Sequence, residues 1–297
     1  MSLAEDLDYG LFNEYINGFM VSKAMFTACE LGVFDLLESE KFLTFDVIAE
    51  RLGTNSQGME QLLDICVTLK LLKVEMKREK ALYQNTELAT LYLTKSGPKS
   101  QYNMLLYMSK TTYSCWNHLT EAIREGKNQY MRTFGIPSDD LFEAIYRSEE
   151  ELVKFMHGLH EIWSINGRDV LTAFDLSPFP LIYDLGGDFF RDPIPEADLY
   201  ILARILHDWA DDKCILLLTN IHQACKPGSG VLVVETLLDE DKRGPLTSQL
   251  YSMNMLVQAE GKERNPTEYR KIFTQAGFQD FQFKKTGKIY DAILARK

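Results

Sequence analysis

The chain has 297 residues, 45% hydrophobic and 25% charged, with 18 Gly and 9 Pro, the proportions of an ordinary globular protein of about two domains. Its 32 Lys and Arg stand against 43 Asp and Glu, a net charge of −11, which argues against a general attraction to nucleic acid or an anionic membrane. The start, Met-Ser-Leu-Ala-Glu-Asp-Leu-Asp, lacks a secretory pattern and no apolar run approaches the ~18 residues that span a bilayer, so the expectation is a cytoplasmic protein.

From Tyr9 to Leu37 the residues Phe12, Ile16, Phe19, Met20, Met25, Phe26, Leu31, Phe34 and Leu37 recur at mostly helical spacing, which predicts helix with a break near Gly32. So much apolar surface exceeds what one small domain hides, and a subunit interface accounts for it. Thr44 opens a capped helix, Asp46 to Leu52, that Gly53 ends, and Asn55 to Lys70 form a second. Leu71 to Val74 and Ala81 to Tyr83 alternate around the polar stretch Lys77 to Lys80, which predicts a β-hairpin. Helix, helix, hairpin is a winged-helix order. A DNA reader would need a basic second helix, whereas this one carries Glu60 and Asp64 with only Lys70 at its end.

Ser100 to Phe174 reads as helix-rich, punctuated by Pro98 and Pro137, and aromatic through Tyr102, Tyr107, Tyr113, Trp116, Tyr130, Phe134, Phe142, Tyr146, Phe155 and Trp163. Aromatics at helical spacing are core residues by default, although these lie between two domains, where ligand pockets commonly form. Leu181-Ile-Tyr-Asp-Leu-Gly-Gly then reads as a short buried strand ending in an acid and glycines. A strand from Asp198 leads to His207-Asp-Trp, a helix spans Asp211 to Ala224, Gly230-Val-Leu-Val-Val-Glu is the next strand, and Gln279 to Thr286 with Ile289 to Ala295 form a closing hairpin. The fold class is mixed α/β in three parts: residues 1–100 winged-helix-like, 101–175 a helical connection, 176–297 Rossmann-like. Cys29, Cys66, Cys115, Cys214 and Cys225 contain no C-x-x-C pair and read as reduced packing residues, and no ligand spacing fits a metal cage.

At this point the motifs Asn17-Gly-Phe-Met-Val-Ser, Ala28-Cys-Glu-Leu-Gly-Val-Phe-Asp-Leu-Leu, Leu171-Thr-Ala-Phe-Asp-Leu-Ser, His207-Asp-Trp and Asn254-Met-Leu-Val-Gln-Ala-Glu-Gly-Lys-Glu-Arg can be taken together. Over essentially the whole chain they resemble the two-domain S-adenosylmethionine-dependent O-methyltransferases, and within them the members that act on hydroxyindoles. The resemblance implies an N-terminal winged-helix dimerisation domain, a class I methyltransferase domain, S-adenosylmethionine as cofactor and a homodimer. One departure is large. Between its first strand and Gly-Asp-Phe-Phe the family carries a glycine-rich loop, two helices and two further strands, with an acid for the cofactor ribose. Here only 13 residues, Leu185 to Ala197, precede the strand at Asp198. A βαβ unit takes about 30 residues and a bare parallel crossover about a dozen, so two strands and two helices are missing. The clean junction looks like a skipped exon. It predicts a bare sheet edge and weak or no activity, with a catalytically deficient dimer partner of a full-length form as the alternative.

By resemblance, His207 is the general base, with Glu263 and Glu235 behind it as supporting acids. Asp208, Asn254 and Gln258 would contact an N-acetylated indole; read from the residues alone, Asn254 and Gln258 fit a solvated helix face. Tyr146, Trp163, Gly187, Asp188, Phe189 and Arg204 match positions lining the cofactor pocket, where aromatic and Arg faces suit a sulfonium and its adenosine. The ribose acid has no obvious substitute, Asp192 being a candidate by proximity alone. His118, His157, His160 and His222 have no comparable context.

Overall fold

The structure, a computed structural model, describes residues 3–136 and 146–297. Pro137 and Phe142 lie outside the described residues. Two compact units divide the chain: Met1–Thr111 with Glu149–Ile162, and Thr112–Ser148 with Trp163–Lys297. The stretch 101–175 is therefore shared between them.

In the first unit α1 (Leu3–Leu31) runs to Gly32, whose φ of 82° is left-handed, and α2 (Val33–Ser39) follows. A residue without Cβ takes that value at no steric cost, so the helix breaks there. Tyr9, Phe12, Tyr15, Ile16, Phe19 and Met20 of α1 remain exposed, while Phe26, Ala28 and Cys29 near its end are buried. α3 (Phe45–Leu52) stops at Gly53, and α4 (Ser56–Thr68) is opened by Asn55, whose Oδ1 accepts from the Gly58 amide at 2.9 Å. Such a cap is worth about 1 kcal/mol. β1 (Leu72–Lys77) and β2 (Lys80–Asn85) pair antiparallel around Arg78 and Glu79, both at positive φ as a two-residue primed turn requires. α5 (Glu87–Tyr92) and α6 (Tyr102–Tyr107) follow, and Phe34, Ile48, Met59, Leu63 and Tyr83 meet in the core. Helix, helix, hairpin is the winged-helix order expected.

In the second unit α7 (Tyr113–Trp116), α8 (Leu119–Glu125) and α9 (Tyr130–Phe134) precede α10 (Glu149–Leu171), which enters this unit at Trp163. The sheet holds β3 (Ile182–Asp184), β4 (Leu199–Ala203), β5 (Gly230–Glu235), β6 (Gln279–Lys284) and β7 (Asp291–Arg296) in the order β3-β4-β5-β7-β6. β3, β4 and β5 are parallel and the last two pairings antiparallel. α11 (Asp211–Ala224) makes the crossover from β4 to β5, and α12 (Leu246–Gln258) and α13 (Pro266–Gln275) lead to the closing hairpin. β4 and β5 are buried almost throughout, which is why their runs are continuously apolar rather than alternating.

β3 differs. Its apolar run reads as a buried strand, yet all three residues are exposed, with Leu181 before them at 54% and Ile182 at 42%. Among the described residues no strand pairs with its outer side, so nothing removes it from water; this is the bare edge that the missing strands predict. No described helix is long and apolar enough to cross a membrane. All five cysteines are free and buried.

Candidate active site around His207

Arg204, the residue after β4, takes a left-handed φ of 58° and donates its amide to the Val234 carbonyl at 2.9 Å. That conformation costs about 1–2 kcal/mol in a non-glycine residue and turns the chain out of the sheet into a single 3₁₀ turn, Leu206–Asp208. Glu235, at the end of β5 and fully buried, caps this turn: its Oε1 accepts from the amides of Leu206 at 2.9 Å and His207 at 3.3 Å. The backbone of His207 is thus anchored to the neighbouring strand.

The His207 ring, 7% exposed, meets a second acid. Its Nδ1 lies 3.1 Å from Glu263 Oε1 and 2.7 Å from Arg204 Nη2, and its Nε2 lies 3.4 Å from Asp208 Oδ1. Two tautomers follow. With Nδ1 accepting from Arg204, Nε2 carries the proton toward Asp208; with Nδ1 donating to Glu263, Nε2 is free to take one. Burial and Arg204 disfavour the imidazolium, but Asp208, Glu235 and Glu263 together outweigh them and hold the His207 pKa above its ordinary value. Burial would raise Glu263, but Arg204 and His207 outweigh it and hold that carboxyl well below its usual range. Burial leaves Asp208 raised.

Arg204 is expected on the cofactor. The structure places its guanidinium on the two acids, with Nη1 2.7 Å from Glu235 Oε2 and Nη2 2.7 Å from Glu263 Oε1, and its face over Tyr290 and Tyr251. Ligand-capable atoms of His207, Glu235 and Glu263 lie within 4.8 Å of one another, as a metal site would require. The cation among them is Arg204.

The three residues expected on substrate are likewise held in this unit. Asn254 Oδ1 accepts from Trp116 Nε1 at 2.8 Å and from Gln258 Nε2 at 2.6 Å, and Gln258 Oε1 accepts from the Tyr130 hydroxyl at 3.2 Å. Gln258 is 5% exposed, so this is no solvated helix face. Trp116 and Tyr130 carry no signal of this role beyond being aromatic. Burial, with the Asp208 charge second, raises the Tyr146 phenol.

The residues expected on the cofactor are less closely tied together. Gly187 (φ 79°) and Asp188 are exposed at the end of β3, whereas Phe189 is buried against Phe190, which in turn meets Trp209 edge-on. Trp163 lies over Gly167, where a Cβ would come within 3.3 Å of the indole. Asp192 folds back on the loop, its Oδ2 accepting from the Asp188 amide at 3.1 Å and lying 3.3 Å from where a Gly187 Cβ would be. It is spent on closing the turn.

An O-methyltransferase dimerisation domain matches residues 13–95, and an O-methyltransferase domain matches in two stretches, 116–188 and 185–279, that meet at the Leu-Gly-Gly-Asp junction. Acetylserotonin O-methyltransferase of Macaca mulatta is 55% identical over 345 positions, covering all of both chains, and that of Gallus gallus 55% over 346. Against the 297 residues here, 345 positions leave 48 without a counterpart. The crystal structure of human N-acetylserotonin methyltransferase in complex with SAM is 55% identical, with a TM-score of 0.97 over 100% of this chain and 99% of that one. The chain therefore belongs to the O-methyltransferase family that carries its own dimerisation domain, and groups within it with the acetylserotonin O-methyltransferases.

Proposed function

We propose that this chain transfers the methyl group of S-adenosylmethionine to the 5-hydroxyl of N-acetylserotonin, giving melatonin, with His207 as general base. The observation that carries the reading is the buried His207 ring with Glu263 3.1 Å from its Nδ1. A phenol-like hydroxyl of pKa about 10 is a poor nucleophile near neutral pH. His207 Nε2 accepts its proton as the oxygen attacks, while Glu263, still ionised, accepts a hydrogen bond from Nδ1–H and stabilises the imidazolium. Glu235 keeps the ring's backbone in place. Asn254, its Oδ1 held by Trp116 and Gln258, offers its NH₂ to the substrate's acetyl carbonyl, and Asp208 closes the site beside Nε2.

S-Adenosylmethionine supplies an electrophilic methyl on a sulfonium when bound. Tyr146, Trp163, Gly187, Asp188 and Phe189 are the residues left to hold it, with Arg204 if it leaves the two acids. They fit its aromatic and cationic parts but provide no free second-strand acid for the ribose, so affinity is low. Incubating the purified chain with both substrates and detecting melatonin by mass spectrometry tests the reading. Product that disappears in His207→Ala supports it; no product from folded chain at millimolar cofactor overturns it.

We further propose that the protein is cytoplasmic and pairs through its first unit, with a second copy or with a form that carries the absent segment. The favouring observation is that the dimerisation domain matches in one piece while the catalytic domain matches in two. Co-purification of differently tagged chains, with a fall in full-length activity, supports the mixed dimer, and separate elution of the two tags refutes it.

A further inference from the structure

We propose that Arg264, with Gly261 beside it, is a positioning residue that sets the orientation of the His207 ring by clamping the backbone of the turn that carries it. Arg264 has no exposed surface. Its Nη1 donates to the Leu206 carbonyl at 2.8 Å and its Nη2 to the Trp209 carbonyl at 2.7 Å, the two residues that flank His207 and Asp208. Nε and Nη2 also reach Asp211 Oδ1, at 2.9 and 2.7 Å, and so tie the start of α11 to the same plane. A guanidinium is rigid and flat, so bonds made by its separate arms fix the two carbonyls relative to each other.

The chain leading to Arg264 makes the clamp continuous. The amide of Glu260 donates to the Asp208 carbonyl at 3.3 Å. At Gly261 a Cβ would stand 2.0 Å from the His207 carbonyl oxygen and 2.6 Å from the Trp209 amide, so only glycine allows this approach. Glu263, one residue before Arg264, bonds the ring itself. Residues 260–264 therefore touch the backbone at 206, 207, 208 and 209 and the imidazole at Nδ1. One short segment fixes both the place of the ring and the partner of its inner nitrogen, and hence the direction of Nε2.

The test uses the full chain with Arg264→Lys and Gly261→Ala, with fold checked by thermal melting. Lysine keeps the charge but not the planar fork. The primary readout is the nitrogen NMR signal of the His207 ring, assigned with His207→Gln among five histidines. In folded Arg264→Lys the ring titration moves toward that of free imidazole and its tautomers average. This readout is independent of turnover, so it stands even if the activity proposed above fails. Where turnover is measurable, kcat falls about 10- to 100-fold and KM for the hydroxyindole changes less than about 2-fold, as for a misplaced base. A folded Arg264→Lys with unchanged His207 signals overturns the proposal. Should neither variant fold, Asp211→Asn, which alters only the partly exposed end of the clamp, shifts the ring in the same direction by less; no shift there also overturns it.

Discussion

The ends of β4 and β5 and the free side of β3 belong to one sheet and are built in opposite ways. At the first, Arg204, His207, Glu235 and Glu263 are all at least mostly buried and every charge meets its opposite within hydrogen-bond distance. At the second, Leu181 and Ile182 stand in water and Asp192 bends onto its own loop. The difference follows chain order. The partners of His207 described above lie between residues 204 and 264, after the junction at 185–188, so an absence before them leaves this cluster intact. The residues expected on the cofactor, Gly187, Asp188 and Phe189, stand at or beside the junction itself, where the match to the O-methyltransferase domain breaks in two.

The largest expected effect tests the intact side. His207→Ala lowers kcat about 10²- to 10⁴-fold, while calorimetry shows the same affinity for S-adenosylhomocysteine; a parallel loss of binding would erase the distinction between the two regions. Next comes the deficient side. Inserting the relatives' absent segment at the junction raises that affinity about 10- to 1,000-fold, since each charge-assisted ribose bond contributes about 1.5–3 kcal/mol and 1.4 kcal/mol is tenfold. No gain would mean that the remaining residues already hold the cofactor.

A smaller effect comes from pH. The His207 pKa is raised, so kcat/KM climbs with pH through a midpoint above about 6.5. The same shift adds stability that is fully present below about pH 6.5 and is lost as pH rises through the folded-state value. Urea midpoints at pH 6 and pH 9 should therefore fall further apart in the native chain than in His207→Gln. Smallest is Ile182→Lys on the bare edge: stability changes by no more than about 0.5 kcal/mol, while light scattering reports less association. A large destabilisation would show that β3 is covered.

Much of the site was legible in sequence because its signals are local. The His207-Asp-Trp turn follows an apolar strand and Gly-Lys-Glu-Arg stands as one motif; the family resemblance these carry pairs His207 with Glu263, and the structure brings the two within 3.1 Å. The family resemblance points Arg204 toward the cofactor, and nothing in a linear pattern tells that Glu235 and Glu263, 31 and 59 residues away, converge on it. Arg264 carries no signal for the same reason: its partners are mostly backbone carbonyls, which have no sequence signature.

The sequence by itself determined the helix break at Gly32, the hairpin around Lys77 to Lys80, the parallel strands with their crossover helix, and the shortness of the stretch between the first two of those strands. Each rests on backbone conformations, periodicities or chain lengths that neighbouring residues impose. Only the tertiary structure decided that Arg204 serves the acids, that Asp192 closes its own turn, and that Arg264 holds the His207 loop. Those outcomes depend on which charges and carbonyls are buried together, and burial is a property of the packed chain rather than of any stretch of it.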